Sequence, residues 1–184
     1  MENLYQSAVA ELGAVFQRLN DADVDRACRM IAEAKSVVVF GGGREKLQIM
    51  GFAMRLYHMG RAVAVEGDMT TPPVGKGDLF IVTVGPGEIS TALALLGVAK
   101  AAGATILVIT AQPKGRAAAF ADFVLYLPAQ TMADDQGEKR SSVLPMGSLY
   151  EGALFVLFEV MILKLIRMLK ITPEAMRANH TNLE

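Results

Sequence analysis

A glycine-rich loop with a basic residue, "GGGREK" at residues 41–46, follows the first apolar run of the chain. Successive backbone N–H groups at a helix start can form an anion site. In this loop the N–H group of Gly43 would be one of them. Arg44 would add a planar set of donors for a phosphate group or a sugar oxygen. The alternative is a tight strand-to-helix turn with a solvated arginine. Glu45 argues against phosphate here, because a carboxylate in the first turn already interacts with the helix dipole.

A second loop, "GPGEIST", begins at Gly85 and has the same position after a later apolar run. Gly85 and Gly87 permit close approach to the backbone, and Ser90 and Thr91 could donate hydroxyl groups from the first helical turn. The alternative is an ordinary helix start in which Glu88 interacts with the helix dipole. The residues alone favour that alternative, because a short glycine-rich turn is a weak indicator of a ligand site.

Glu151 follows the segment "LPMGS" at the start of the longest helical pattern. Ser148 and Glu151 have the spacing of a capping box, in which each side chain satisfies a backbone N–H group at the helix start. The residues alone favour this structural interpretation. The functional interpretation is a carboxylate base held at the mouth of a binding site.

The chain contains two histidines and one cysteine. His58 lies within a helical pattern, where packing or exposure is expected rather than catalysis. His180 lies in a C-terminal tail, which is ordinarily disordered unless a partner subunit captures it. Cys28 also lies in a helical pattern, and we expect it to be a buried small hydrophobe. These residues are too few for a metal site, so we expect neither a metal nor another cofactor.

Five apolar runs predict five strands, and helical patterns separate most of them. The runs are "SVVVFGGG" (36–43), "AVAVEG" (62–67), "DLFIVTV" (78–84), "ATILVIT" (104–110) and "FVLYL" (123–127). Helices are predicted at residues 3–18, 22–34, 44–60, about 88–102, 115–121, 148 to about 170 and from Pro173, whereas residues 129–147 are polar and irregular.

Strands that alternate with helices imply parallel pairing with right-handed crossovers. We therefore predict an α/β fold, a three-layer α/β/α sandwich with a five-stranded parallel sheet. Its single domain spans residues 1–184, with N-terminal helices at 1–34, an α/β core at 35–128 and C-terminal helices at 148–184. Ligands of such sheets bind beyond the carboxyl ends of the strands, which selects the loops at 41–46, 70–73 and 85–91.

The composition excludes several classes of protein. The 184 residues are 52% hydrophobic and 20% charged, with a formal net charge of −1, which argues against disorder and against a basic surface for nucleic acid. The N-terminus lacks the pattern of a secretory signal. Charged residues interrupt the most apolar segment, 152–170, before it reaches the length of a membrane span, about 20 residues. We expect a soluble, cytoplasmic protein that binds a small molecule, with neither nucleic acid nor a membrane as a partner.

Four stretches resemble the 6-phospho-3-hexuloisomerase family of sugar isomerase (SIS) domain enzymes: "AMRLYHMG", "TTPPVGKGDLFIV", "LPMGSLYEGAL" and "NHTNLE". The resemblance runs nearly from end to end. It implies a flavodoxin-like SIS domain and an intramolecular oxidoreductase that interconverts a 3-keto hexulose 6-phosphate and fructose 6-phosphate through an enediol. It also implies a role in carbohydrate metabolism and formaldehyde assimilation, and a homo-oligomer, a dimer or a homotetramer, with sites at subunit contacts.

The resemblance also implies roles for individual residues. Glu151 matches the family's glutamate after "PMG", the base that moves a proton between adjacent carbons. His180 matches the C-terminal histidine, which reaches a neighbouring subunit's site and assists ring opening or proton transfer. Arg44 matches the arginine of a "G-x-G-R-S-G" loop. The predicted catalytic residues are Glu151 and His180, and the predicted substrate-binding residues are Gly43, Arg44, Lys46, Gly85, Gly87, Glu88, Ser90 and Thr91.

The sequence departs from the family pattern where phosphate should bind. Val84, Pro86 and Ile89 stand where the family loop "S-G-S-G-x-T" has two serines and a threonine, and Glu45 replaces a serine. Each lost hydrogen bond to a charged group costs about 1.5–3 kcal/mol. The lost donors could be replaced only for a ligand bound in a shifted position, by Lys46, Ser90 and Thr91. The substrate is therefore expected to be a phosphorylated sugar or another sugar derivative.

A second hypothesis is a non-catalytic SIS module that binds a sugar derivative as a sensor or regulator. No helix-turn-helix for DNA is expected within this chain. Both hypotheses predict self-association, because the N-terminal helices and the long helix, with Met161 and Met168, offer more apolar surface than one thin sandwich needs.

Overall fold

The computed structural model describes residues 3–183 and contains one five-stranded sheet. Its strands are β1 (Val37–Gly41), β2 (Val63–Val65), β3 (Leu79–Thr83), β4 (Thr105–Thr110) and β5 (Phe123–Tyr126). All neighbouring strands are parallel, in the order β2-β1-β3-β4-β5. This order is that of flavodoxin-like sheets, and it confirms the predicted α/β fold. Met1, Glu2 and Glu184 belong to the predicted domain but lie outside the described residues.

Helices cover both faces of the sheet. The α-helices are α1 (Leu4–Arg18), α2 (Asp21–Glu33), α3 (Arg44–His58), α4 (Ser90–Ala101), α5 (Ser148–Leu169) and α6 (Pro173–Ala178). Two 3₁₀ helices lie at Arg116–Phe120 and Gly137–Lys139, the second within the irregular segment 129–147. The helix predicted at 115–121 is therefore only a short 3₁₀ turn, too brief for an α-helix of several turns.

The three central strands, β1, β3 and β4, are buried on both faces, so they appear in the sequence as continuous apolar runs, whereas the edge strands β2 and β5 are partly exposed. Alternate residues, such as Val37 and Val39, face the layer that contains α1, α2, α3 and α5, whereas Val38 and Phe40 face the thinner layer of α4 and the first 3₁₀ helix. This alternation follows from the two-residue period of a strand. The connection from β2 to β3 runs as turns and coil over residues 66–78.

Two predictions about burial have different outcomes. Cys28 is fully buried, as predicted, and burial raises the pKa of its thiol to about 12. Met161 is also fully buried and belongs to the core, so the expectation that it forms apolar surface was wrong. The face of α5 that carries Met161 packs against the sheet and its neighbouring helices. Met168 is 39% exposed.

Candidate active site

The carboxyl ends of β1 and β3 lie side by side, with Gly41 and Thr83 in register. From this point β1 connects outward to β2, whereas β3 connects to β4 on the other side, so the sheet reverses its strand order here. Ligands of open α/β sheets bind at such a position. The two loops and the start of α5 enclose a cleft of about 330 Å³, which we call the switch-point cleft. Its lining residues are Gly42, Gly43, Arg44, Glu45, Pro86, Ile89, Thr131, Met132, Gly147, Tyr150 and Glu151.

Arg44 connects the start of α3 to the start of α5. Its Nη2 atom lies 3.2 Å from Glu151 Oε1, and its Nη1 atom donates a hydrogen bond of 3.0 Å to Ser148 Oγ. The guanidinium also donates to the Met146 carbonyl. Two of the residues predicted to be functional, Arg44 and Glu151, are thus brought together in one cleft although they are far apart in the sequence.

Glu151 has the electrostatic surroundings of a proton-transfer group. Its side chain is only 16% exposed, and burial raises the pKa of its carboxyl group above the usual value, whereas the nearby Arg44 lowers it. A general base works best when its pKa lies near the working pH. The carboxylate is therefore shifted toward neutral pH by burial, while Arg44 favours its ionised form.

The capping-box interpretation of Ser148 and Glu151 was wrong. The N-cap of α5 is Gly147, in the left-handed region at φ 74°, and no side chain caps this helix start. Ser148 already lies in the first helical turn, where its hydroxyl accepts from Arg44 instead of from the backbone. A Cβ at Gly147 would lie 2.6 Å from the Met132 backbone N, so only glycine fits where these two segments cross.

Glu45 is a site residue that the sequence analysis did not assign. It lies in the first turn of α3 and is only 6% exposed, with Oε1 and Oε2 accepting from the Gly85 N–H at 3.0 and 3.2 Å. Burial raises the pKa of this carboxyl to about 7, although the hydrogen bond from the Gly85 N–H lowers it; the charge of Glu151 raises it further. In the sequence, Glu45 is recognisable only as a carboxylate in the first helical turn after a glycine-rich strand end, and its contact with Gly85, forty residues later, has no local signal.

Tyr150 forms the floor of the switch-point cleft. The ring is buried, and its hydroxyl donates to the Ile109 carbonyl at 2.9 Å. Burial raises the pKa of this phenol well above its usual value, and the charge of Glu45 adds to the effect, so Tyr150 has a packing role at neutral pH. A Cβ at Gly85 would lie 2.8 Å from the Tyr150 ring. The backbone of Gly85 is therefore approached closely by Tyr150.

The remaining predicted residues of the β3 loop lie outside the lining of the cleft. Gly87 is buried against the chain at Gln112, and Glu88 forms an ion pair of 2.6 Å with Arg116. The first two residues of α4, Ser90 and Thr91, are exposed. Their roles in substrate binding stay predictions.

Lys46 and Gly43 differ in position although both belong to the first loop. Gly43 is the N-cap of α3 at φ 54° and lines the cleft. The Lys46 ammonium instead donates to the Glu66 carbonyl at 3.2 Å, beyond the end of β2. The third loop expected at the site, residues 70–73, also lies beyond the end of β2. It does not line the switch-point cleft, and Thr70 lines a separate cavity of about 520 Å³.

His180 lies at the opposite end of α3 from the cleft. Its ring centroid is 4.9 Å from that of His58, the last residue of α3, whereas Arg44 is the first residue of that helix. The 15 residues of α3 separate the two ends by roughly 20 Å. His180 therefore does not contact Glu151 of its own chain, and its catalytic role stays a prediction that requires a neighbouring subunit.

Within residues 3–183, no group of three or more His, Cys, Asp or Glu side chains is arranged to hold a metal ion. In the same part of the chain, no helix is both long enough and apolar enough to cross a membrane.

Comparison with known proteins identifies the family. The sequence profile of the SIS domain family matches residues 30–154, a range that includes the whole sheet, both loops of the cleft and Glu151. The chain belongs to the SIS domain family. The resemblance stated from the sequence is therefore confirmed at the level of the family.

Curated SIS relatives cover nearly the whole chain. A 3-hexulose-6-phosphate isomerase from Methylomonas aminofaciens is 34% identical over 183 residues, 99% of each chain. Another protein of that name, from Mycobacterium gastri, is 35% identical over 99% of this chain and 89% of its own length. A solved structure of a protein from Methanococcus jannaschii, described as inferring a 3-hexulose-6-phosphate isomerase function, has a TM-score of 0.84 and 26% identity over 98% of both chains.

Proposed function

We propose that this SIS domain protein is a sugar isomerase that moves the carbonyl group of a ketose between two adjacent carbons through an enediol. The observation that supports this most directly is the pairing of Glu151 with Arg44 in the switch-point cleft, at 3.2 Å. Relatives at 34% and 35% identity are named as isomerases of this kind. The phosphorylated pair 3-hexulose 6-phosphate and fructose 6-phosphate is the first substrate to test, together with free fructose.

The proposed reaction needs one base and one donor. Starting from a 2-ketose, the Glu151 carboxylate takes the proton on C3, and the electron pair of that C–H bond forms the C2=C3 double bond of an enediolate with its charge on O2. A proton moves from O3 to O2, and Glu151 returns its proton to C2, which leaves the carbonyl at C3. Arg44 donates hydrogen bonds to the enediolate oxygen, where charge develops.

His180 and self-association belong to the same proposal. We infer that His180 acts in the cleft of a neighbouring subunit, since it lies at the far end of α3 from its own cleft. Large exposed apolar side chains on the two adjoining helices α3 and α5 support an oligomer, because apolar side chains gathered on a surface mark contact sites. These side chains are Leu47, Met50, Met54, Tyr57, Phe155 and Leu163.

Solvent exchange tests the proposal without the need to isolate a product. In D₂O, a base that takes the C3 proton of fructose 6-phosphate or fructose will replace it with deuterium, which NMR detects. Glu151→Gln is expected to abolish this exchange while ligand binding, measured by calorimetry, persists. Glu159 is a half-buried glutamate further along the same helix, outside the cleft, so Glu159→Gln is the matched control and should retain the exchange.

The outcomes separate the two hypotheses. Exchange that survives in Glu151→Gln would contradict the assignment of the base. Binding of a ketose by the wild-type protein without any exchange would favour the non-catalytic sensor.

A further inference from the structure

The carboxylate of Glu45 occupies the position at which this fold would hold an anion. Its two oxygens lie 3.0 and 3.2 Å from the Gly85 N, at the carboxyl end of β3, and the residue is more than nine-tenths buried. Glu45 also lies in the first turn of α3, where the helix dipole favours negative charge. The Gly85 N–H group and the start of the α3 dipole would attract a phosphate. Both already interact with the Glu45 carboxylate.

The remaining lining of the switch-point cleft supplies little for a phosphate group. Pro86 has no N–H group to donate. The Ile89 side chain lies over the β1 loop, where its Cδ1 atom would be 2.9 Å from a Cβ at Gly42. Among the described lining residues, Arg44 is the single cation, and it is already paired with Glu151. One paired cation and two carboxylates give the cleft no net positive charge.

Carboxylates of this kind are suited to hydroxyl groups. An ionised carboxylate accepts hydrogen bonds at about four lone-pair sites, and a single N–H group, that of Gly85, is shared between the two oxygens of Glu45. Glu45 lines the cleft, so a ligand bound there can donate to the lone pairs that the Gly85 N–H does not use. A polyhydroxylated ligand end can donate to them, whereas a phosphate dianion would be repelled.

We propose that Glu45 determines specificity: the switch-point cleft binds the uncharged, hydroxyl-bearing part of a ketose and excludes a phosphate group from the carboxyl ends of β1 and β3. The preferred substrate class is thus an unphosphorylated ketose. This inference rests on the proposed isomerase function and specifies its substrate.

Charge removal at Glu45 tests the inference at pH 8, where the carboxylate is ionised. The dissociation constants of fructose and fructose 6-phosphate are measured by calorimetry for the wild-type protein, Glu45→Ser, Glu45→Gln and Glu159→Ser. We expect the wild-type protein to prefer fructose. Both Glu45 variants should shift the preference toward fructose 6-phosphate by at least about tenfold, the usual size of one removed like charge in a partly buried site. Glu159→Ser removes a charge that lies outside the cleft and should leave the ratio unchanged. Glu45→Gln keeps the size of the side chain, so the test survives a folding defect in Glu45→Ser.

Inorganic phosphate gives a second readout that is independent of turnover. At matched ionic strength with chloride, phosphate is expected to raise the melting temperature of Glu45→Ser and Glu45→Gln more than that of the wild-type protein and Glu159→Ser. Equal stabilisation of all four proteins, or a wild-type preference for fructose 6-phosphate that the Glu45 variants do not change, would overturn the inference. Either result would leave the proposed isomerase standing if Glu151-dependent exchange is seen with fructose 6-phosphate. Absence of exchange with both ketoses would contradict the isomerase, while the phosphate comparison would still decide the role of Glu45.

Discussion

Arg44 Nη2 lies 3.2 Å from Glu151 Oε1 at the mouth of the cleft, and this ion pair links α3 to α5. A second ion pair, Arg55 with Glu159 at 3.4 Å, links the same two helices further along. The two pairs have the same chemistry, but only Arg44 and Glu151 line the switch-point cleft. The second pair is therefore a built-in control for the first.

Removal of the Arg44 charge is expected to raise the pKa of Glu151, because Arg44 lowers that pKa and burial raises it. In Arg44→Gln, the ionised base then becomes scarcer at a given pH, and the acid limb of the pH–rate profile moves to higher pH. Together with the lost donor, this should reduce kcat/KM at pH 7 by at least about tenfold. The pH–rate profile is measured as the rate of C3 proton exchange. The control variant Arg55→Gln, from the second ion pair, should keep the wild-type profile. An unchanged acid limb in Arg44→Gln would show that Arg44 does not act on the base.

Glu45 is expected to make the protein less stable as pH rises. Its pKa is about 7 in the folded state and near 4.5 in the unfolded chain, so the folded state binds more protons between these values and stability falls with rising pH across that window. A shift of this size corresponds to roughly 3 kcal/mol. Glu45→Gln should flatten the dependence. Urea unfolding at pH 5 and pH 8 measures it, with Glu159→Gln as the control. A Glu45→Gln protein that loses as much stability over this range as the wild-type protein would contradict the prediction.

The sequence predicted the sheet well because its strands are short apolar runs, of which the three central ones are buried on both faces, and such runs depend only on local composition. The cleft was harder, because its contacts join distant segments. Ser148 and Glu151 have the spacing of a capping box, but both side chains bind Arg44 instead of the backbone. Arg44 lies about one hundred residues earlier in the chain. Likewise, the position of Glu45 in a first helical turn predicted only an interaction with the helix dipole. In the structure its carboxylate also accepts a hydrogen bond from the Gly85 N–H. No local pattern contains that information.

Gly147 is expected to be indispensable for the crossing of the two segments that form one wall of the cleft. Alanine there would adopt the left-handed region at φ 74° and place a Cβ 2.6 Å from the Met132 backbone N. We expect Gly147→Ala to lower the free energy of unfolding by roughly 3 kcal/mol or more, since strain and a backbone clash add. Gly137, at φ 59°, has open space around it. Gly137→Ala therefore reports strain alone and should cost about 1 kcal/mol. Equal losses in the two variants, measured by urea unfolding, would show that the clash is relieved by a shift of the chain.

The position of His180 leads to a test that only an oligomer can pass. His180 lies at the far end of α3 from its own cleft, so a role in catalysis requires that it enter the cleft of another subunit. Glu151→Gln and His180→Ala are each expected to have little activity. After subunit exchange, a mixed oligomer contains a cleft with an intact Glu151 from one chain and an intact His180 from the other, so part of the activity should return.

The controls for this mixture follow from the same geometry. A single chain that carries both substitutions should restore no activity to either single variant, because every mixed cleft would still lack one of the two groups. Sedimentation of the wild-type protein establishes whether subunits associate at all. A monomer that retains full exchange activity would rule out a role for His180 in a neighbouring cleft, and would leave Glu151 and Arg44 as the groups that carry the reaction.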